Sequence, residues 1–208
     1  WTVHNLYPHS NIRPKLYLRM VKFLSHFLSG ITYFSLHSKV LVHQEFTFTK
    51  SIPGVVIPHA LYDYPNHPSS KRIDELQQNI LCKKTAKLAL FFGRIDHYKD
   101  IDGLIRSFRE LPAQNYQLAI VGPCSDNQLL ESLNELTQGA QHIRVLQSFF
   151  PEADLASLFS MSDLVILPFK KILNSGSVML ALSFGKPVLV PAMGSIIEVQ
   201  EIVGAQAI

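Results

Sequence analysis

The sequence predicts an α/β protein built on a doubly wound parallel sheet, and the stretch from Lys87 onward predicts it. Short apolar runs recur there, helical patterns fill the gaps, and the connections are short. Strands alternating with helices in this rhythm lie parallel, with helices covering both faces.

Taken in order, the region up to about Tyr64 holds three short apolar runs: Trp1–Val3, Lys39–Val42 and Gly54–Ile57. Between the first two lies a basic, strongly apolar segment from Arg13 to Leu28. Tyr62–Lys71 carries Asp63, Pro65, Asn66, Pro68 and two serines, the composition of a linker. Ile73–Leu81 then reads as a short amphipathic helix. Buried strands are predicted at Leu88–Phe92, Gln117–Val121, Ile143–Leu146, Leu164–Leu167 and Pro187–Val190, each an apolar run bounded by turn or polar residues. Asp102–Leu111 places Leu104, Ile105, Phe108 and Leu111 on one helical face. Asp126–Gln138 takes Ser125 or Asp126 as N-cap, carries Leu129, Leu130, Leu133 and Leu136, and stops at Gly139. Pro151 opens a further helix ahead of Leu155, Leu158 and Phe159. The chain thus divides into 1–64, a linker and connecting helix over 65–85, and a ligand-binding domain over 86–208.

The 208 residues suffice for one generous domain, or for one domain and part of a second. An apolar fraction of 47% against 17% charged points to a buried core and excludes disorder. No apolar run approaches the ~18 residues of a membrane-spanning helix. The first residue is a tryptophan and no signal peptide is visible, so the chain reads as a cut-out fragment. Cys82 and Cys124 lack any CxxC spacing and read as ordinary thiols of a reducing compartment. A net charge of +3 suits an anionic small ligand or an anionic membrane surface, and falls short of a nucleic-acid footprint. The nine histidines form no zinc-like ligand pair with cysteine or carboxylate, so no metal site is expected.

In a doubly wound sheet, ligands sit at the carboxyl ends of the strands, where the strand order reverses. The loops that follow the predicted strands are therefore the ones to read. Phe92 leads into Gly93, Arg94 and, five residues on, Lys99. Glycine lets backbone approach a ligand, arginine grips phosphate oxygens bidentately and lysine adds a point charge. Surface cations that merely snorkel would give the same pattern. A second loop, from Pro168 to Val178, ends on Asn174, Ser175, Gly176 and Ser177, which can cap the next helix and present its free N–H groups to an anion. An ordinary capped helix without a ligand is the alternative. Gly122-Pro123 and the stretch from Gly194 to Glu198 are either simple turns or small residues that leave room for a nucleotide. Asp126 and Glu198 read first as helix-end charges and second as ligand contacts.

The ordered set G-R-x4-K, V-G, S-D-L-V-I-L-P, S-G-x4-A-L-x-x-G-K-P-V and G-x3-E resembles the C-terminal domain of family-4 GT-B glycosyltransferases. Thr2-Val3-His4-Asn5 resembles the strand-loop with that family's acceptor-domain histidine, and Val56-Ile57-Pro58-His59 resembles the segment before its interdomain hinge. The resemblance implies a Rossmann-like nucleotide-sugar-binding domain over 86–208, lacking its final helices. It also implies a partial acceptor-side domain over 1–64. The implied activity is hexosyl transfer from a nucleotide diphosphate-sugar to a saccharide or lipid-linked acceptor in surface-glycan synthesis, with no metal ion and no further cofactor. It makes Gly93, Arg94, Lys99, Gly122, Ser175, Gly176, Ser177 and Glu198 the donor-binding set. Arg94 and Lys99 also stabilise the leaving charge, and His4 faces the donor sugar. As it stands, without most of the acceptor domain, the chain is expected to be inactive.

One departure stands out. The family's E-x7-E glutamates fall on Ile172 and Leu180, and neither can bond a hydroxyl. A divergent transferase, a non-catalytic nucleotide-sugar-binding domain and a GT-B-fold nucleotide-sugar epimerase all stay open on that account, and the anomeric outcome stays open with them. Arg13, Lys15, Arg19 and Lys22 interleave with Leu16, Met20, Phe23 and Phe27, so the first helix has two readings. It either lies on an anionic bilayer, which makes the protein peripheral at the inner face of the membrane, or turns its apolar stripe to the core of a cytoplasmic protein.

Overall fold

The computed structural model describes residues 1–7, 13–80 and 85–208. They form two compact units. One comprises Trp1–Ala60, Ile172–Gly176 and Ala192–Ile202; the other comprises Leu61–Lys171, Ser177–Pro191 and Val203–Ile208.

In the first unit the basic segment forms α1 (Pro14–Ser25), opened by a proline in its first turn. Strand β1 (Ile31–Tyr33), helix α2 (Leu36–Glu45) and strand β2 (Gly54–Val56) follow. β1 and β2 pair in parallel, Ile31 with Gly54 and Tyr33 with Val56. Trp1–Val3 contributes only a bridge between Thr2 and Thr32. The run Lys39–Val42 is helical: Ser35 Oγ accepts the Ser38 N–H at 2.9 Å and starts α2, which no glycine or proline then interrupts. The core gathers Val3, Ile31, Tyr33, Val42, Phe46 and Leu173, with Trp1, Tyr7 and Tyr17 packed against it.

The second unit begins with α3 (Ser70–Ile80), three residues earlier than the periodicity indicated; residue 81 and Cys82 lie outside the described residues. Its sheet holds β3 (Lys87–Phe92), β4 (Tyr116–Val121), β5 (Ile143–Leu146), β6 (Leu164–Ile166) and β7 (Val188–Leu189). All four pairings are parallel and the strand order is β5-β4-β3-β6-β7. The expected sheet is therefore present; β5 keeps its predicted bounds and the ends of the other four strands move by at most one residue. The order runs one way from β3 to β5 and the other way from β6 to β7, so the switch lies between β3 and β6. Helix α4 (Ile101–Arg109) buries Ile101, Leu104, Ile105 and Phe108, while Leu111 falls beyond its end and is exposed. Asp126 caps α5 (Asn127–Thr137), and Pro151 stands before α6 (Glu152–Met161). The helix that follows the Pro168–Val178 loop is α7, which spans Gly176–Ser183. α8 (Ile196–Val203) closes the set, nearly all of it in the first unit.

Candidate functional site

The site of the second unit is assembled at the switch. β3 ends at Phe92, and Gly93 turns the chain at φ 127°, a conformation that disfavours any side chain. A Cβ on Gly93 would stand 3.0 Å from both Lys99 Nζ and Ser177 Oγ. The ammonium and the hydroxyl therefore meet at one bare stretch of backbone. Residues 97–99 make a single 3-10 turn, and Asp100 takes the left-handed conformation before α4 starts. That tight turn swings Lys99 inward, leaving it 4% exposed.

Three rings enclose the Lys99 ammonium: Phe91 at 5.4 Å, Phe169 at 5.5 Å and Tyr98 at 5.8 Å from Nζ. Their faces are electronegative and offset part of the lost hydration. Burial pushes the Lys99 pKa down to about 8; Asp96 opposes the shift and Arg94 adds to it. Among the described residues no carboxylate forms an ion pair with Lys99. Arg94 itself is exposed, with neither a hydrogen bond nor an ion pair among the described residues. The box of rings was invisible in the sequence. Phe91 read as part of a buried strand there and Phe169 as part of a loop, and only the fold brings position 169 beside position 98, where the rings stack at 6.4 Å.

The neighbouring loops are laced together. The Ile95 N–H donates to the Pro123 carbonyl at 2.9 Å, and Gln147 Nε2 donates to the Cys124 carbonyl at 2.8 Å. The Lys170 N–H donates to the Tyr98 carbonyl at 2.9 Å. For Gly122 the sequence left two readings, a simple turn or room for a nucleotide, and the structure shows its backbone packed closely against that of Gly93. A Cβ there would stand 2.0 Å from the Gly93 carbonyl oxygen, so the space is filled by the end of β3. Asp126 is the N-cap of α5, accepting from the Leu129 N–H at 3.0 Å, and its other oxygen meets His97 Nε2 at 3.2 Å. Its carboxyl is held below the usual range by the Leu129 N–H first and by His97 second.

The remaining candidates belong to the first unit. His4 is exposed, its ring 5.0 Å from that of Phe34, and its carbonyl accepts from Asn174 Nδ2 at 3.1 Å. Asn174 also accepts from Ser38 Oγ at 2.9 Å and so fastens three segments of this unit. Ser175 is buried, and Gly176 stands at the start of α7. The unit boundary falls between Gly176 and Ser177. Glu198 turns its carboxylate to the start of α2, accepting from the N–H groups of Leu36 at 3.0 Å and His37 at 2.5 Å. Gly194 also serves packing: a Cβ would press on the carbonyls of Ile172 and Leu173 at 2.7 Å. Leu180 lies in the second turn of α7, 9% exposed, and Ile172 is half-buried. Among the described residues no group of three or more His, Cys, Asp or Glu could hold a metal ion. No helix among them is long and apolar enough to cross a membrane.

Comparison with known proteins adds a family to this geometry. A family model described as glycosyl transferases group 1 matches residues 72–201, more than half of the chain. Two curated relatives from Xanthomonas campestris pv. campestris are each named GDP-mannose:glycolipid 4-beta-D-mannosyltransferase. The first is 34% identical over 115 residues, 55% of this chain and 33% of the relative. The second is 33% identical over 102 residues, 49% of this chain and 29% of the relative. The chain thus spans about a third of the length of the curated relatives it matches. Among solved structures, sucrose-phosphate synthase from Thermosynechococcus elongatus superposes with a TM-score of 0.74 at 20% identity, covering 94% of this chain and 50% of that one. Anabaena HepE, solved with UDP and glucose, gives 0.73 at 18% identity, covering 95% and 53%. At these identities the structures establish a shared fold, the GT-B arrangement of helices around a parallel sheet.

Proposed function

The chain belongs to the glycosyl transferases of group 1, and from that premise we propose that it moves a hexose from a nucleoside-diphosphate sugar to a glycolipid or polysaccharide acceptor. The observation that carries the reading is the meeting of Lys99 Nζ and Ser177 Oγ at the bare backbone of Gly93, with Lys99 buried and, among the described residues, no carboxylate ion-paired to it. Such a cation is short of one anion, and a diphosphate would supply it. As the sugar leaves, negative charge grows on the diphosphate, and donors already in place stabilise it without reorganising. Arg94, exposed on the same loop, is assigned to the outer phosphate oxygens. For Gly176 and Ser175 the support is the resemblance of their motif, and their proposed role is to offer backbone N–H groups to a phosphate. For His4 the support is the resemblance of its motif, and its proposed role is contact with the donor sugar. The proposed division places acceptor-side residues in 1–64 and donor-side residues in 86–208.

The names of the Xanthomonas relatives direct the choice of substrates. We take GDP-mannose as the donor to try first, a glycolipid as acceptor and a β-linked mannoside as product. A lipid-linked acceptor would place the protein at the cytoplasmic face of a membrane. Incubation with GDP-mannose and glycolipid should release GDP and yield a mannosylated lipid whose NMR spectrum reports a β-anomer. A second reading, a domain that binds nucleotide sugar without turnover, is favoured by Ile172 and Leu180 at the positions of the family's glutamates. Binding in calorimetry without donor cleavage would select it. Failure of any nucleotide sugar to bind would remove both.

A further inference from the structure

We propose that the outer face of α1 is a docking surface for an anionic lipid bilayer. α1 presents three distinct faces. Tyr17, Val21 and Ser25 turn inward, with the Tyr17 ring 5.6 Å from Tyr7 and 6.4 Å from Phe46. At about 100° per residue, Leu16, Met20, Phe23 and the following Phe27 fall within an arc of roughly 60°. That arc points away from the inward face. The structure leaves these apolar side chains in the open: Leu16 is 62% exposed, Phe23 64% and Phe27 74%. The rings of Phe23 and Phe27 meet edge to face at 5.5 Å and make one apolar ridge.

The third face carries Lys15, Arg19 and Lys22, all exposed, along the flank of the ridge. No aspartate or glutamate occurs before Glu45, while Arg13, Lys15, Arg19, Lys22 and Lys39 do. Glu45 is engaged by the Tyr7 hydroxyl. Among the described residues no ion pair engages Lys15, Arg19 or Lys22, so positive charge borders the ridge. A second copy of the chain would bring these cations against their own kind. A bilayer with acidic headgroups meets both features at once: aromatic side chains enter the headgroup boundary and the cations lie against the phosphates. The surface deepens the glycolipid-acceptor reading by naming what would bring the protein to such an acceptor. It rests on that reading for its purpose and is measured independently of donor binding.

The test is sedimentation of the protein with vesicles of phosphatidylcholine, with and without phosphatidylglycerol. We expect binding only where phosphatidylglycerol is present, with release as salt shortens the electrostatic range. The variant Arg13→Gln, Lys15→Gln, Arg19→Gln, Lys22→Gln should bind at least about tenfold more weakly. Phe23→Ser with Phe27→Ser should lose binding although every cation remains. Both variants should keep the parent melting temperature and the parent affinity for GDP in calorimetry. Equal sedimentation by parent and variants, or equal binding to neutral vesicles, overturns the proposal. A large drop in melting temperature for the double serine variant overturns it too, by returning the ridge to a protein interior. So does a concentration-dependent dimer, without vesicle binding, that the serines dissolve. If GDP fails to bind while vesicles do, the donor reading falls and the surface stands.

Discussion

An ammonium enclosed by three aromatic rings is held at a cost, and Lys99 carries it with no ion pair among the described residues. Its pKa lies near 8 in the folded chain against an ordinary 10.5. Between those values the unfolded chain binds more protons, so stability rises as pH climbs from about 8 toward 10.5. Below 8 the penalty is present in full. Lys99→Met should therefore stabilise the protein at pH 7 by about 1–3 kcal/mol, and the advantage should shrink toward pH 10. The same change should abolish nucleotide binding. Urea unfolding at the two pH values checks the first part, and destabilisation at pH 7 would mean that the ammonium is already satisfied. Arg94→Ala should weaken nucleoside diphosphate by about 1.5–3 kcal/mol, read by calorimetry, since one charge-assisted bond is lost. Gly122→Ala forces its methyl onto the Gly93 carbonyl, so a loss of about 1–3 kcal/mol in stability is expected, together with weaker nucleotide binding. Sequence pattern alone singled out Gly93, Arg94, Lys99 and Ser177, because cations and small residues after a strand form a local signal, and the fold brings Lys99 and Ser177 together at Gly93. Phe91, Tyr98 and Phe169 gave none, since aromatic residues beside strands look like any core.

At the scale of elements, the strands of the second unit were legible because each is a bounded apolar run of the right length. The N-cap of α5 was equally local: Asp126 precedes its helix by one residue and accepts from the Leu129 N–H. The start of α2 was not legible. Ser35 contributes one acceptor from nearby, but Glu198 supplies two more from 161 and 162 residues away. Glu198→Ala should thus cost about 1–2 kcal/mol of stability through α2, with nucleotide affinity unchanged. A clear loss of affinity at unchanged stability would restore Glu198 to the nucleotide. Phe46, fully buried with the rings of Trp1, Tyr7, Tyr17 and Phe48 around it, anchors the small first-unit core. Phe46→Ala should cost about 3–5 kcal/mol, read by chemical unfolding.

For the molecule as a whole, charge and burial combine into a pH dependence. The diphosphate of a nucleotide sugar is doubly esterified and does not titrate near neutrality, so around pH 8 Lys99 is the titrating group assigned to it. Affinity for GDP-mannose should hold below about pH 8 and fall as pH rises through that value, because the deprotonated amine no longer meets the anion. Calorimetry from pH 6 to 10 measures it, and a flat profile would place the diphosphate away from Lys99. Turnover is expected to survive EDTA; loss restored by magnesium or manganese would show a metal requirement. The sequence by itself determined the doubly wound sheet, the strands that carry the loops, and the cationic and glycine-rich character of those loops. These depend on periodicity and on residues close together in the chain, which composition and spacing report directly. Tertiary structure alone decided that Gly122 and Gly194 serve packing, that Glu198 holds α2, that aromatic rings enclose Lys99, and that the α1 ridge faces outward. Each of these depends on which distant segments the fold brings within a few ångströms, and no local pattern carries that information.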